Sequence, residues 1–228
     1  MTVTTSVVRA RWRDIDRIVD LITDTLSPTP LGAWLVPDEP GRSGALAAVA
    51  RIWTEHALLF GDAFLLQDGT AATVWFHRYR PIPAPAGYDE RLGAACGAHR
   101  DRFLRLGRTL AARRPAEAHN HLAFLAVPGP DWRKRAAAVL AGSQRWMDTL
   151  GLPTYVEALT TADRDLHQRN GYSSGEAFPL PGGGIAHPMW RLSPFWAGRM
   201  SGNTVARWAA RHSPVRVRND RLSGYAHR

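Results

Sequence analysis

The stretch from His121 to Leu159 constrains the fold more than any other part of the chain. His121–Val127 is a run of strand type. Pro128-Gly129-Pro130 breaks it, and Asp131 stands where a helix cap belongs. Trp132, Ala136, Val139, Leu140, Met147 and Leu150 then recur at helical spacing and give one apolar stripe. Gly151 occupies the C-terminal cap position with Pro153 beyond it, and Thr154–Leu159 reads as the next strand. A strand, a long helix and a second strand require a crossover, which sets the two strands, the fourth and fifth of the chain, parallel in one sheet.

The flanking sequence supplies the remaining elements. Val7–Ala10 reads as a first strand. Ile15, Ile18, Val19, Ile22 and Leu26 follow at helical spacing behind Asp14, and Ser27-Pro28-Thr29-Pro30 stops that helix. Leu46, Val49, Ile52, Trp53 and Leu59 mark a second helix ended by Gly61. Ala63–Gln67 and Ala71–His77 read as a hairpin around Asp68-Gly69. A long Arg- and Ala-rich helix is expected over 88–113. Thr161 caps a short helix to Arg169, and Tyr172–Phe178 and Ala186–Leu192 form closing strands around Pro181-Gly-Gly-Gly. The order mixes hairpins with crossovers and predicts an α/β fold, a mixed sheet covered by helices.

Composition narrows the function classes. No stretch approaches the ~20 apolar residues of a membrane helix, and the first residues have no apolar run of signal type. The lone Cys96 leaves no intrachain disulfide and no cysteine zinc site. These features predict a cytoplasmic protein that does not engage a membrane. The formal charge is +9, of which residues 193–228 carry +6: seven arginines against Asp220. The body, residues 1–192, is therefore only mildly basic, which suits an anionic ligand without demanding nucleic acid. Residues 193–228 are read as a basic extension, dispensable for the fold. Trp196, Trp208 and Tyr225 interleave with its arginines as nucleic-acid stacking surfaces would, while Val205–Arg211 also suits an amphipathic helix docked on the domain.

Three segments in order resemble the GNAT N-acetyltransferase superfamily: His119-Asn-His-Leu-Ala-Phe-Leu-Ala-Val127, Leu166-His-Gln-Arg-Asn-Gly-Tyr172, and Pro179-Leu-Pro-Gly-Gly-Gly with Met189-Trp-Arg191. The resemblance covers about 1–192 and implies a mixed, mostly antiparallel sheet flanked by helices, with parallel strands four and five splayed apart. It implies acetyl-CoA, or another acyl-CoA, as cofactor and a small-molecule amine as acceptor; a homodimer is compatible with it. It places the thioester oxygen at backbone N–H groups around Leu125, Ala126 and Val127. The family's pyrophosphate loop falls on Trp132 to Ala137, where only Ala137 fits the pattern. Arg133, Lys134 and Arg135 put three cations at a helix start, with Arg135 in place of a glycine and Ala136 beside it. Cations are unfavourable there unless an anion is present. Asp163 stands where many members have a cofactor-contacting asparagine. His167 stands where a tyrosine commonly protonates the leaving thiolate, and His⁺ can serve as that donor; it also reads as a surface histidine on a short helix.

The proton acceptor has three candidates. His119 and His121 alternate around Asn120 and so share a strand face, and imidazole has a suitable pKa. Both also read as ordinary strand-end residues. Glu157 on the adjacent strand is a further base, or a structural carboxylate paired with an arginine. The competing account of the whole is a GNAT-fold protein that has lost acetyl transfer and serves a different reaction or ligand.

Overall fold

A computed structural model describes residues 6–194; the basic extension falls almost entirely outside them. The sheet is built from β1 (Val7–Arg9), β2 (Gly61–Leu66), β3 (Ala72–Arg78), β4 (His119–Ala126), β5 (Thr154–Ala158), β6 (Ser173–Ser174), β7 (Phe178–Pro179) and β8 (Ile185–Arg191). Its order is β1-β2-β3-β4-β5-β8-β6, with β7 also paired to β8. Every pair is antiparallel except β4 with β5. The crossover helix α6 (Trp132–Thr149) makes that parallel pair, as its sequence pattern requires.

Two helical layers cover the sheet. α1 (Ile15–Leu26) and α3 (Glu39–Phe60) pack on the face bearing Leu65, Val74 and Phe76. α6 packs on the other face against Phe64, Trp75 and Leu122. Gly61 ends α3 and begins β2; a Cβ there would lie 1.9 Å from the Trp75 carbonyl oxygen. Only glycine lets the chain turn from helix to strand this close to its neighbour.

Four departures from the sequence expectations have local causes. The helix over 88–113 is two helices, α4 (Tyr88–Cys96) and α5 (Arg100–Ala111), because Gly97 adopts φ 49° between them. A short helix α2 (Pro30–Leu35) follows the Pro-rich stop: the Thr29 hydroxyl accepts from Gly32 N–H at 3.0 Å and Pro30 opens the first turn. The expected strand 172–178 reduces to β6 and β7, both laid on β8. The fourth strand begins at His119 rather than His121.

Glycine substitutions should report this packing with opposite signs. Gly107→Ala, in α5 with nothing within 4 Å, should stabilise the protein by about 1 kcal/mol. Gly61→Ala should destabilise it by about 1–3 kcal/mol. Urea midpoints at unchanged m values would read both.

Candidate active site

β4 and β5 are in register only at Asn120–Leu122 with Thr154–Val156. Beyond that they part. Within β4, Trp75 faces Leu122 while Val74 faces Phe124, so Ala123 is an extra, bulged residue. The bulge turns Phe124 and Ala126 toward the α1 side, whereas Leu122 faces α6. Among the described residues, the β5-side edge of β4 has no strand partner from Ala123 onward.

The gap is a cleft of about 260 Å³. β4 from Leu122 and β5 from Val156 form its walls. Thr25 and Leu26 at the end of α1, with Thr29 to Leu31, close it on one side. Asp163 and His167, on α7 (Thr161–Arg169), close the other. Leu180, Gly183 and Gly184 complete the rim. α2 meets that rim directly: a Cβ on Gly182 would fall 2.1 Å from Cγ of Trp34. Arg102 on α5 donates to the Trp34 carbonyl and lays its guanidinium 5.9 Å from the indole centre.

Glu157 is the polar group in this wall, its side chain 6% exposed. Its Oε2 accepts from His121 Nε2 at 2.7 Å. Its Oε1 makes no well-formed hydrogen bond, although the Tyr155 hydroxyl lies beside it. Burial alone would raise the carboxyl's pKa, but His121, Arg114 and Tyr155 outweigh burial and hold it below the usual carboxylate range. His121 is the converse case. Burial depresses it, and Arg114 and Arg78 add to that against the pull of Glu157. At neutral pH a neutral imidazole therefore donates to an ionised carboxylate. The other nitrogen, Nδ1, takes the Arg78 Nε–H at 3.4 Å, which fixes the tautomer.

His119 does not reach the cleft. It bonds the Glu117 carbonyl through Nδ1 at 2.6 Å, and burial draws it down to about 4. Val127 and Ala136 pack together under α6, with Ala137 against them, so their side chains serve the core. Leu125 and Ala126 do line the cleft. At the α6 start Arg133 and Lys134 are exposed. Arg135 is committed otherwise: its guanidinium donates to the carbonyls of Thr70 and Pro128 and lies beside Gly129. Asp163 faces the cleft with its carboxyl accepting from the Thr160 hydroxyl at 2.8 Å, and burial raises its pKa.

His167 corrects one expectation. It lines the cleft but is 2% exposed, and burial pulls it down to about 4. At neutral pH it is not an imidazolium and holds no acidic proton of the expected kind. Sequence reasoning also missed Tyr155, Arg78 and Arg114. Tyr155 alternates with Glu157 as His119 does with His121, so it was within reach of the same argument. The arginines come from a strand end and a loop whose meeting no local pattern encodes.

No protein-family model matches the chain, and no curated protein matches it in sequence. Solved structures do. An acetyltransferase from Corynebacterium glutamicum, described as histone acetyltransferase HPA2 and related acetyltransferase, superposes with TM-score 0.61 at 21% identity, over 82% of this chain and 96% of that one. An agmatine N-acetyltransferase mutant in apo form gives 0.57 at 16%, over 82% and 99%. The Drosophila melanogaster polyamine N-acetyltransferase gives 0.55 at 17%, over 82% and 98%. The chain has the GNAT acetyltransferase fold.

The titration of His167 tests this description of the cleft. The folded pKa lies below the unfolded value of ~6.5, so the folded state binds fewer protons between pH 6.5 and 4. The stability this residue confers is full above that window and is lost as pH falls through it, on the order of 3 kcal/mol. By proton NMR the ring should titrate near 4. His167→Gln should lose less stability than the wild type between pH 6.5 and 4. A midpoint near ~6.5 would place the ring in solvent.

Proposed function

We propose that this chain is an acyl-CoA-dependent N-acyltransferase that transfers acetyl to the amine of a small molecule in the cleft between β4 and β5. The observation that carries the reading is the ionised Glu157 carboxylate set in an otherwise apolar wall where the two strands part. The three similar structures are described as acetyltransferases, two of them of amines, agmatine and polyamine.

The residues present fit the cofactor in a modified way. Asp131 makes no side-chain cap bond, so the first N–H groups of α6 remain available to phosphate oxygens. Arg133 and Lys134 add exposed positive charge at that helix start. Arg135, bound to two carbonyls, occupies the room a glycine would leave, so phosphate contacts fall to its neighbours. When bound, acetyl-CoA supplies an acyl carbon already activated as a thioester.

The chain's own groups then have distinct work. Glu157 holds the acceptor nitrogen by a charge-assisted hydrogen bond. As that nitrogen bonds to the acyl carbon its protons become strongly acidic, so even a carboxylate of low basicity accepts one. His121 keeps donating Nε2–H and stays neutral, steadying the carboxyl as its charge changes. The free edge of β4 beyond Ala123 supplies backbone N–H groups to the oxygen on which negative charge develops. His167, neutral, offers at most a hydrogen bond near the departing sulfur; the balance of the proton comes from solvent.

A second reading, a GNAT-fold protein without acetyl transfer, is favoured by Arg135 in place of glycine and His167 in place of tyrosine. In that account Glu157 still receives an amine, but no acyl donor binds.

Turnover measures the choice. With acetyl-CoA and a panel of small amines, thiol release should be seen with at least one acceptor. Glu157→Gln should lower kcat by about 10²–10⁴-fold while leaving acetyl-CoA affinity nearly unchanged. Wild-type turnover in the variant would remove Glu157 from the chemistry.

A further inference from the structure

We propose that the acceptor is a primary monoamine with an apolar body, alkyl or aryl, that lies along the α1 and α2 wall of the cleft. This rests on the cleft being the acceptor site and goes beyond it by naming the substrate class. The cleft has two unlike sides. Phe76 packs in the cluster that holds α1, His121 is its partner across the sheet, and Tyr155 is the partner of His121. Glu157, two residues on, therefore belongs to the same face. There the cleft is lined by Ile22 and Leu26 of α1, Leu31 of α2 and Phe124 of β4, with Leu180 at the rim. Asp163 and His167 belong to the other side. Leu166, next to His167, packs with Ala136 and Val139 of α6, and Trp132 at the α6 start joins the same cluster. A donor held at the α6 start thus occupies the α7 side and leaves the α1 side to the acceptor.

What the α1 side offers is apolar surface. Leu26, Leu31 and Phe124 are half-buried, so each has surface left to cover. The polar side chains there, Thr25 and Thr29, give their hydroxyl hydrogens to backbone carbonyls, of Leu21 at 2.7 Å and of Leu26 at 2.6 Å. Among the described residues lining the cleft, the charged side chains are Glu157 and Asp163, and Asp163 stands on α7 with its carboxyl accepting from Thr160. A second ammonium, or a carboxylate, at the far end of an acceptor would lose its water against this wall with no ion to replace it. An apolar body gains by covering the same wall, about fourfold in affinity per methylene buried.

The wall is also held in place. The Thr29 hydroxyl caps α2. Trp34, three residues on from Leu31, abuts Gly182, where a Cβ would fall 2.1 Å from its Cγ. Arg102 donates to the Trp34 carbonyl. The apolar surface is therefore in position before an acceptor arrives, so little ordering opposes its use.

Binding without any acyl donor tests this apart from catalysis. Linear primary amines from propylamine to octylamine, and the α,ω-diamine of each chain length, are titrated calorimetrically into the full chain. Monoamine affinity should rise about threefold to fourfold per added methylene until the cleft is filled. Each longer diamine should bind about tenfold or more weakly than its matched monoamine. Leu31→Glu, which sets a second carboxylate in the wall, should narrow or reverse that gap. Leu31→Ala should weaken octylamine about fourfold or more and leave propylamine nearly unchanged. Both variants are confirmed folded by their melting transitions; if one fails to fold, the other decides. Diamines binding as tightly as monoamines would overturn the proposal. So would affinity that does not grow with chain length, no amine binding at all, or a pattern that survives in the folded variants. Monoamine binding without product from acetyl-CoA would leave this subsite standing and remove the transfer reaction. Product formed with diamines alone would do the reverse.

Discussion

Parallel strands ordinarily share hydrogen bonds along their common length, but β4 and β5 do so at three positions only. Two causes act together. The bulge at Ala123 bends β4 and reverses the faces its later residues present. The crossover through α6 leaves from the end of β4 and returns to the start of β5, and the two strands pair at their starts and part toward their ends. The candidate site depends on that parting. It exposes backbone on β4, places Glu157 in a wall, and makes room for α1, α2 and α7 to enclose a volume.

The electrostatics follow from the same geometry. A buried carboxylate in an apolar wall would neutralise itself unless paired or hydrogen-bonded. Glu157 stays ionised because His121 donates to it and Arg114 lies near. His121 donates without becoming charged because burial disfavours the imidazolium, and Arg78 at its other nitrogen adds to that. The arrangement resembles a relay only in its connectivity. In charge it is a single carboxylate supported by a neutral ring, with positive charge behind it.

Much of this was legible in the chain. The apolar stripe of α6 between two strand patterns required the parallel pair, and Asp68-Gly69 marked the hairpin. The alternation of His119 and His121 put both on one face, and the structure adds that only His121 reaches Glu157. The rest depended on side chains meeting across the fold. Burial, which no sequence pattern at Leu166–Tyr172 reveals, removes the expected acid from His167. Arg135 reads as a phosphate ligand in sequence, yet two carbonyls from separate loops claim its guanidinium. Gly97 broke a helix that composition alone made continuous.

Calorimetric titration of the chain with acetyl-CoA bears most directly on the central claim, because the fold is shared with acetyltransferases while Arg135, at the start of α6, spends its guanidinium on two carbonyls. The account predicts saturable one-to-one binding that weakens as salt is raised, since exposed charges at Arg133 and Lys134 carry the phosphate contact. It also predicts weaker binding when both are replaced by alanine. Absence of binding at millimolar acetyl-CoA would contradict the account and leave the cleft to a reaction that uses no such donor.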